Sequence, residues 1–240
     1  VRQSRRQHTF EDYVSLQRGI EVKLEYFNGD IYVMAGWSAG HNRISRNVLK
    51  LFDAALTGTS CEAFGSDMRV STPSGLYTYP DVSIVCGPKI SDASETITNP
   101  IVIVEVLSDS TRNYDRGEKF DLYRSIPELR HYLLIDQAFR HIEHRRLQVD
   151  GSWKTESGGA PNETVRLSEI GIDLMIAQVY EGVAIGGDAS LISEDKKRRT
   201  EVRLTRLPAI ENYSNTTITT RRFSALPFFV LFGAAGRVSP

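Results

Sequence analysis

Asp81 follows Tyr79-Pro80 and opens an apolar run, Val82-Ser83-Ile84-Val85-Cys86. Glu105 stands inside a second one, Ile101-Val102-Ile103-Val104-Glu105-Val106-Leu107, and Lys119 lies in the stretch that follows. A carboxylate embedded among β-branched residues is costly unless it is paired or bound to a cation. Two of them on neighbouring strands make a hard-oxygen site suited to Mg²⁺, which takes one or two carboxylates and completes its shell with water and substrate phosphate. A cation so held polarises a phosphoryl oxygen and lowers the pKa of a bound water. Lys119 is placed to orient that water or to offset charge developing at phosphorus. Each residue also has a plainer role open to it. Asp81 can cap a turn after its proline, and Glu105 can pair with an arginine at a strand end. Lys119, four residues after Asp115, can form an ordinary helix ion pair.

The elements that must hold these residues are legible as alternating periods. Thr9-Phe10-Glu11-Asp12 has the form of a capped helix start, with a helix through about residue 17. Val22 to Tyr26 and Ile31 to Met34 are strand-like, and the Asn28-Gly29 between them signals a hairpin. Ile44, Val48, Leu51, Phe52 and Ala55 fall at helical spacing in a helix over 41–56, which Gly58 ends. Short strands follow at 62–64 and 68–71, then the two apolar runs. The run at 101–107 is apolar almost throughout, the pattern of a strand covered on both faces. A helix is predicted over 113–125, stopped before Pro127, then a strand pair at 131–136 and 140–149, with Asp150-Gly151 turning into a strand at Trp153. This alternation predicts an α/β (α+β) domain with a mixed central sheet flanked by helices.

Composition bounds the rest. The chain has 240 residues, 40% hydrophobic and 25% charged, which is the balance of a globular protein with a real core. The net charge of −1 hides an asymmetry. Residues 185–240 contain nine Lys or Arg against five Asp or Glu, hence +4, which leaves −5 for residues 1–184. An acidic domain gains little from counterion release on a polyanion, so any nucleic-acid binding must come from local charge or from a metal. The texture also changes after Val183, so the chain divides into a domain over 1–184 and a basic, disordered tail over 185–240. Cys61 and Cys86 show no metal or redox spacing and are expected as reduced thiols. No secretory signal opens the sequence, and the apolar patch at 225–236 is too short to span a bilayer, so the expected location is the cytoplasm, with no membrane contact. His141 and His144, three apart on a strand, point to opposite faces and cannot share an ion there.

The run Glu105-Val106-Leu107-Ser108-Asp109-Ser110-Thr111-Arg112-Asn113-Tyr114-Asp115-Arg116-Gly117-Glu118-Lys119-Phe120 is very similar to the Uma-type family of restriction endonucleases. The similarity continues through Tyr123, Ile126-Pro127 and Tyr132-Leu133-Leu134-Ile135-Asp136. Glu25, Gly29 and His41 fit it too, as does the segment 168–183, so it covers roughly residues 8–184. The broader resemblance is to the PD-(D/E)xK nucleases, whose motif is an aspartate, then an acidic residue and a lysine two positions apart. Here the position two after Glu105 is Leu107, and the resemblance implies that the lysine has moved to the helix, as Lys119. It further implies a restriction-endonuclease-like fold and a metal-dependent endonuclease acting on phosphodiester bonds, with DNA as substrate. Asp81 and Glu105 are the implied ligands of Mg²⁺ (or Mn²⁺), and Lys119 the third catalytic residue. Glu25, His41, Ser108 and Asp115 are candidates to line the cleft. A symmetric homodimer would suit a two-strand cut. The alternative is a nuclease-fold protein that binds nucleic acid or a protein partner without cutting.

Overall fold

A computed structural model describes residues 7–34, 38–88 and 96–185. The expected tail over 185–240, apart from Ile185, lies outside the described residues, as does Trp37.

The chain begins with α1 (Phe10–Gly19), whose Thr9 accepts from the Asp12 N–H while the Asp12 carboxylate accepts from the Thr9 N–H, closing a reciprocal capping box. Strands β1 (Leu24–Phe27) and β2 (Asp30–Val33) form the predicted hairpin. Asn28 and Gly29 take φ of 50° and 83° at its turn, a conformation open to few other residue pairs. Helix α2 (Ala39–Leu56) follows, capped by Ser38, whose Oγ accepts from the His41 N–H at 3.0 Å. Next come β3 (Cys61–Gly65), β4 (Val70–Ser71), β5 (Tyr77–Thr78), β6 (Val82–Cys86) and β7 (Val102–Leu107).

The predicted helix over 113–125 is two short ones, α3 (Arg112–Arg116) and α4 (Glu118–Tyr123). The chain leaves helical geometry at Gly117 (φ −112°, ψ −102°), whose N–H is shared by the carbonyls of Asn113 and Tyr114. Beyond them are β8 (His131–Asp136), β9 (Ile142–Leu147), β10 (Trp153–Gly158), the hairpin β11 (Thr164–Leu167) and β12 (Ile172–Met175), and α5 (Ile176–Val179).

A six-stranded mixed sheet in the order β10-β9-β8-β7-β6-β3 is the centre of the fold. Only β7 and β8 run parallel, and α3 and α4 lie in the connection between them, as a parallel crossover requires. A four-stranded sheet, β2-β1-β5-β4, brings the first hairpin beside the segment that leads into β6. The alternation along β7 sorts the core into two faces. Val102, Val104 and Val106 pack with Ile44, Val48 and Phe52 of α2. Ile103 and Leu107 pack with Phe120 and Tyr123 of α4. Each of these apolar side chains, buried fully, contributes about 1.5–3 kcal/mol. Glu105 occupies the position between Ile103 and Leu107 on the α4 face, so a carboxylate stands where the pattern calls for an apolar residue.

The reading of Cys61 and Cys86 as reduced thiols is corrected. The two stand directly opposite in the β3–β6 register and are joined as a disulfide. The pairing comes from strand register, which spacing along the chain does not reveal. These cysteines therefore do not support a reducing compartment. Among the described residues no helix is long and apolar enough to cross a membrane.

Candidate active site

Five elements and the segment that leads into β6 deliver ionisable side chains to one buried cluster at the carboxyl end of β7. Asp81 lies between β5 and β6, and the β6–β7 register, Val82 opposite Val104, sets it beside Glu105. Its Oδ2 accepts the Val106 N–H at 2.7 Å, and its Oδ1 meets His41 Nε2 at 2.7 Å from the first turn of α2. Glu105 Oε1 accepts from the Tyr123 hydroxyl at 2.8 Å and from the Lys119 ammonium at 2.9 Å. Lys119 Nζ is also 2.9 Å from Glu25 Oε1 on β1 and 3.6 Å from Asp115 Oδ1 on α3. The Thr78 hydroxyl on β5 donates to that same oxygen of Glu25. Glu25, His41, Asp81, Glu105, Asp115 and Lys119 are all buried.

The expected triad is therefore assembled, with Glu25, His41 and Asp115 around it. Ser108 is not part of the cluster. Its Oγ accepts the Thr111 N–H and meets the hydroxyls of Ser110 and Thr111, which shapes the loop leading into α3. Two neighbours escaped the sequence reading as site residues. Tyr123 is four residues after Lys119, one helical turn along the same face, and Thr78 follows from the short β5 that pattern alone did not show. His144 Nε2 faces His131 Nδ1 at 2.9 Å on the other face of the sheet.

The electrostatics show a shortage of positive charge. Three buried carboxylates surround one ammonium and a fourth, Asp81, lies beside Glu105; Lys119, in spite of its burial, is held well above its usual pKa by Glu105 and Glu25. Burial pushes the Glu105 carboxyl up to about 8, with Asp115 and Asp81 adding to the rise, although Lys119 pulls the other way. The upward shift of Glu105 and its 2.9 Å contact with Lys119 coexist because that one ammonium is shared with Glu25 and Asp115. Burial likewise raises Asp115 to about 6, against the pull of Lys119 and a hydrogen bond from Thr111. A divalent cation held by these carboxylates would relieve this shortage. Both donors to Glu105 meet Oε1, which leaves Oε2 for a further ligand, and Asp81 lies beside it. Among the described residues no three His, Cys, Asp or Glu side chains stand as a ready-made metal cage.

A pH dependence follows for the protein without metal. Unfolded, Glu105 loses its proton near 4.5, and folded, near 8. The stability it contributes is complete below the first value and is lost as pH rises through the second. Asp115 acts in the same sense between 3.8 and about 6. His144, lowered by burial to about 4, and His131, also lowered by burial, act in the opposite sense, and their effect is complete by about pH 6.5. In EDTA the melting temperature is expected to fall between pH 6.5 and 8, and Glu105→Gln is expected to flatten that fall. Thermal melts of both proteins across the interval check it. An equal slope in the variant would place the titrating group elsewhere.

The Uma2 family model, described as "Putative restriction endonuclease", matches residues 10–177, and the chain belongs to this family. Two relatives come from Synechocystis sp. The uncharacterized protein slr1290 is 37% identical over 175 residues, covering 72% of this chain and 92% of its own length. The uncharacterized protein sll1609 is 39% identical over 148 residues, covering 60% of this chain and 84% of its own length. A crystal structure of a "putative nuclease belonging to DUF820" from Anabaena variabilis superposes with a TM-score of 0.61 at 18% identity. It covers 73% of this chain and 99% of that one, and at that identity it shows the fold, a mixed central sheet flanked by helices. Membership of the family supports nuclease activity, hence hydrolysis of phosphodiester bonds, in general terms.

Proposed function

We propose that this protein is a metal-dependent endonuclease that cleaves DNA, with Asp81 and Glu105 as the ligands of Mg²⁺ or Mn²⁺. The observation that carries the reading is the buried cluster in which Glu105, Glu25 and Asp115 share the ammonium of Lys119, with the Asp81 carboxylate set beside Glu105. Such a cluster is costly as pure structure and becomes economical when a cation completes it. When bound, the metal supplies Lewis-acid stabilisation of a phosphoryl oxygen and a more acidic water.

The chain's own groups do the rest. The Val106 N–H and His41 hold the two oxygens of Asp81 in fixed directions. Tyr123 holds Oε1 of Glu105 and so sets where Oε2 points. Lys119, held between Glu25 and Glu105, keeps its positive charge beside the position where phosphate charge develops. Its location on α4 replaces a lysine two residues after the acid, where Leu107 is fully buried in the core.

The test is nicking of a supercoiled plasmid by the purified protein. Cleavage with Mg²⁺ or Mn²⁺ that EDTA abolishes, and that excess metal restores, supports the reading. Cleavage that is unchanged in EDTA removes the metal from the mechanism. Binding of the plasmid with no cleavage under either metal favours the alternative of a nuclease-fold binding protein, which draws on the fact that Lys119 is buried and engaged by three carboxylates.

A further inference from the structure

Residues 1–184 carry −5 and the site is itself rich in carboxylate, so the net charge of this part of the chain does not attract a polyanion. One helix face runs against that balance. On α2, Arg43, Arg46 and Lys50 recur at spacings of three and four, which places them on one side of the helix. Ile44, Val48 and Phe52 face the core from the other side. All three cations are exposed. Among the described residues none of them has a carboxylate within 4 Å, whereas Arg112, Arg116, Arg124, Arg145 and Arg166 each have one.

The amino-terminal part of this face is joined to the rim of the site. Ser38, Ala39, Asn42, Arg43 and Arg46 line a recess of about 420 Å³ at the first turns of α2. Ser38 caps the N–H of His41, whose ring holds Asp81. The Ser38 hydroxyl also donates to Gln137, in the turn that follows β8. That turn lies at the carboxyl end of the parallel β7–β8 pair, with Leu107 beside Asp136, the same end at which Asp81 takes the Val106 N–H. The recess and the carboxylate cluster therefore lie at the same end of the central strands.

We propose that this face of α2 receives the backbone of duplex DNA on the flank of the phosphate that is cut. The proposal rests on the nuclease reading of the Asp81–Glu105–Lys119 site. Phosphates neutralised along the face release counterions and supply affinity that the net charge of the domain denies. The positive end of the helix dipole adds to the same field.

Fluorescence anisotropy of a short fluorescein-labelled DNA duplex, titrated with the full chain in EDTA over a range of salt, tests it. Arg43→Glu combined with Arg46→Glu should weaken binding at low salt by about tenfold or more. It should also lower the slope of log affinity against log salt by about 2, since each lost phosphate contact removes about 0.9. Arg166→Glu, on the β11–β12 hairpin with its side chain 76% exposed, should leave both unchanged. Equal affinity and slope in the double variant overturn the proposal, as does an equal loss in Arg166→Glu, which would mark a response to net charge alone. A parent that binds an RNA duplex with this slope but not DNA overturns the assignment of the partner. If the parent cleaves plasmid and the double variant binds and cleaves as well, the docking face falls while the nuclease reading stands. A parent that neither binds nor cleaves DNA brings down both.

Discussion

Asp81→Asn is expected to lower metal-dependent plasmid cleavage by about three orders of magnitude, while the protein without metal becomes no less stable. The two halves of this result have separate origins. The amide keeps an oxygen to accept the Val106 N–H and an NH₂ to meet His41, so the local geometry survives. What disappears is a negative charge, one of those that raise the proton affinity of Glu105. Removing it relieves repulsion in the buried cluster, and the melting temperature in EDTA should hold or rise. Cleavage responds in the other direction, because a cation that stabilises the transition state by several kcal/mol loses a ligand, and about 4 kcal/mol is a thousandfold in rate. A residue retained to hold the fold together would give the reverse pattern, with stability lost and chemistry spared. Single-turnover nicking with Mn²⁺, beside thermal melts in EDTA, separates the two. Cleavage at the parent's rate in Asp81→Asn would remove Asp81 from the metal site.

Whether a residue of the site was legible in the sequence depends on the range over which its signal operates. Thr9, Asn28-Gly29 and Ser38 act within a few residues of themselves. Thr9 and the hairpin turn were read correctly from the chain alone. Glu105 was legible for a different reason, since one carboxylate in a run of β-branched residues breaks a pattern strong enough to reveal it. Asp81 and Lys119 could be placed because the resemblance spans them, and the β6–β7 register and the crossover through α4 then bring them to Glu105. What remained hidden depends on contacts between distant segments. The Tyr123 hydroxyl reaches Glu105 from α4, which begins after the chain leaves helical geometry at Gly117. Thr78 reaches Glu25 because a two-residue strand pairs with β1, and two residues carry no period. Cys61 and Cys86 become partners once β3 lies against β6 in one particular register. Ser108 had the opposite fault, being near the site in sequence and committed to its own loop.

Lys119→Met tests the electrostatics of the cluster directly, and its expected effect on stability is larger than that of any other single change in the site. The methionine stem fills much of the same space, so packing against Tyr114 and Tyr123 is largely kept. The charge is lost, and Glu25, Glu105 and Asp115 remain buried with no ammonium among them. Breaking a buried ion pair from one side costs about 3–5 kcal/mol, which in a domain of this size lowers the melting temperature by about 6–20 °C. The loss should be greatest at high pH. It should shrink as pH falls and the carboxyls take up protons, because a protonated cluster needs no cation. Mn²⁺ distinguishes a structural cluster from a metal site. If Asp81 and Glu105 hold a divalent ion, millimolar Mn²⁺ should raise the melting temperature of the variant by more than it raises the parent's, since the metal then supplies the charge that lysine supplied. Cleavage should not return with it, because Lys119 acts on the water or the phosphate from a position the ion does not occupy. A variant stabilised by Mn²⁺ and still inactive assigns both roles. A variant as stable as the parent in EDTA would show that the ammonium is not what compensates these carboxylates, and the charge shortage on which the metal reading rests would lose its foundation.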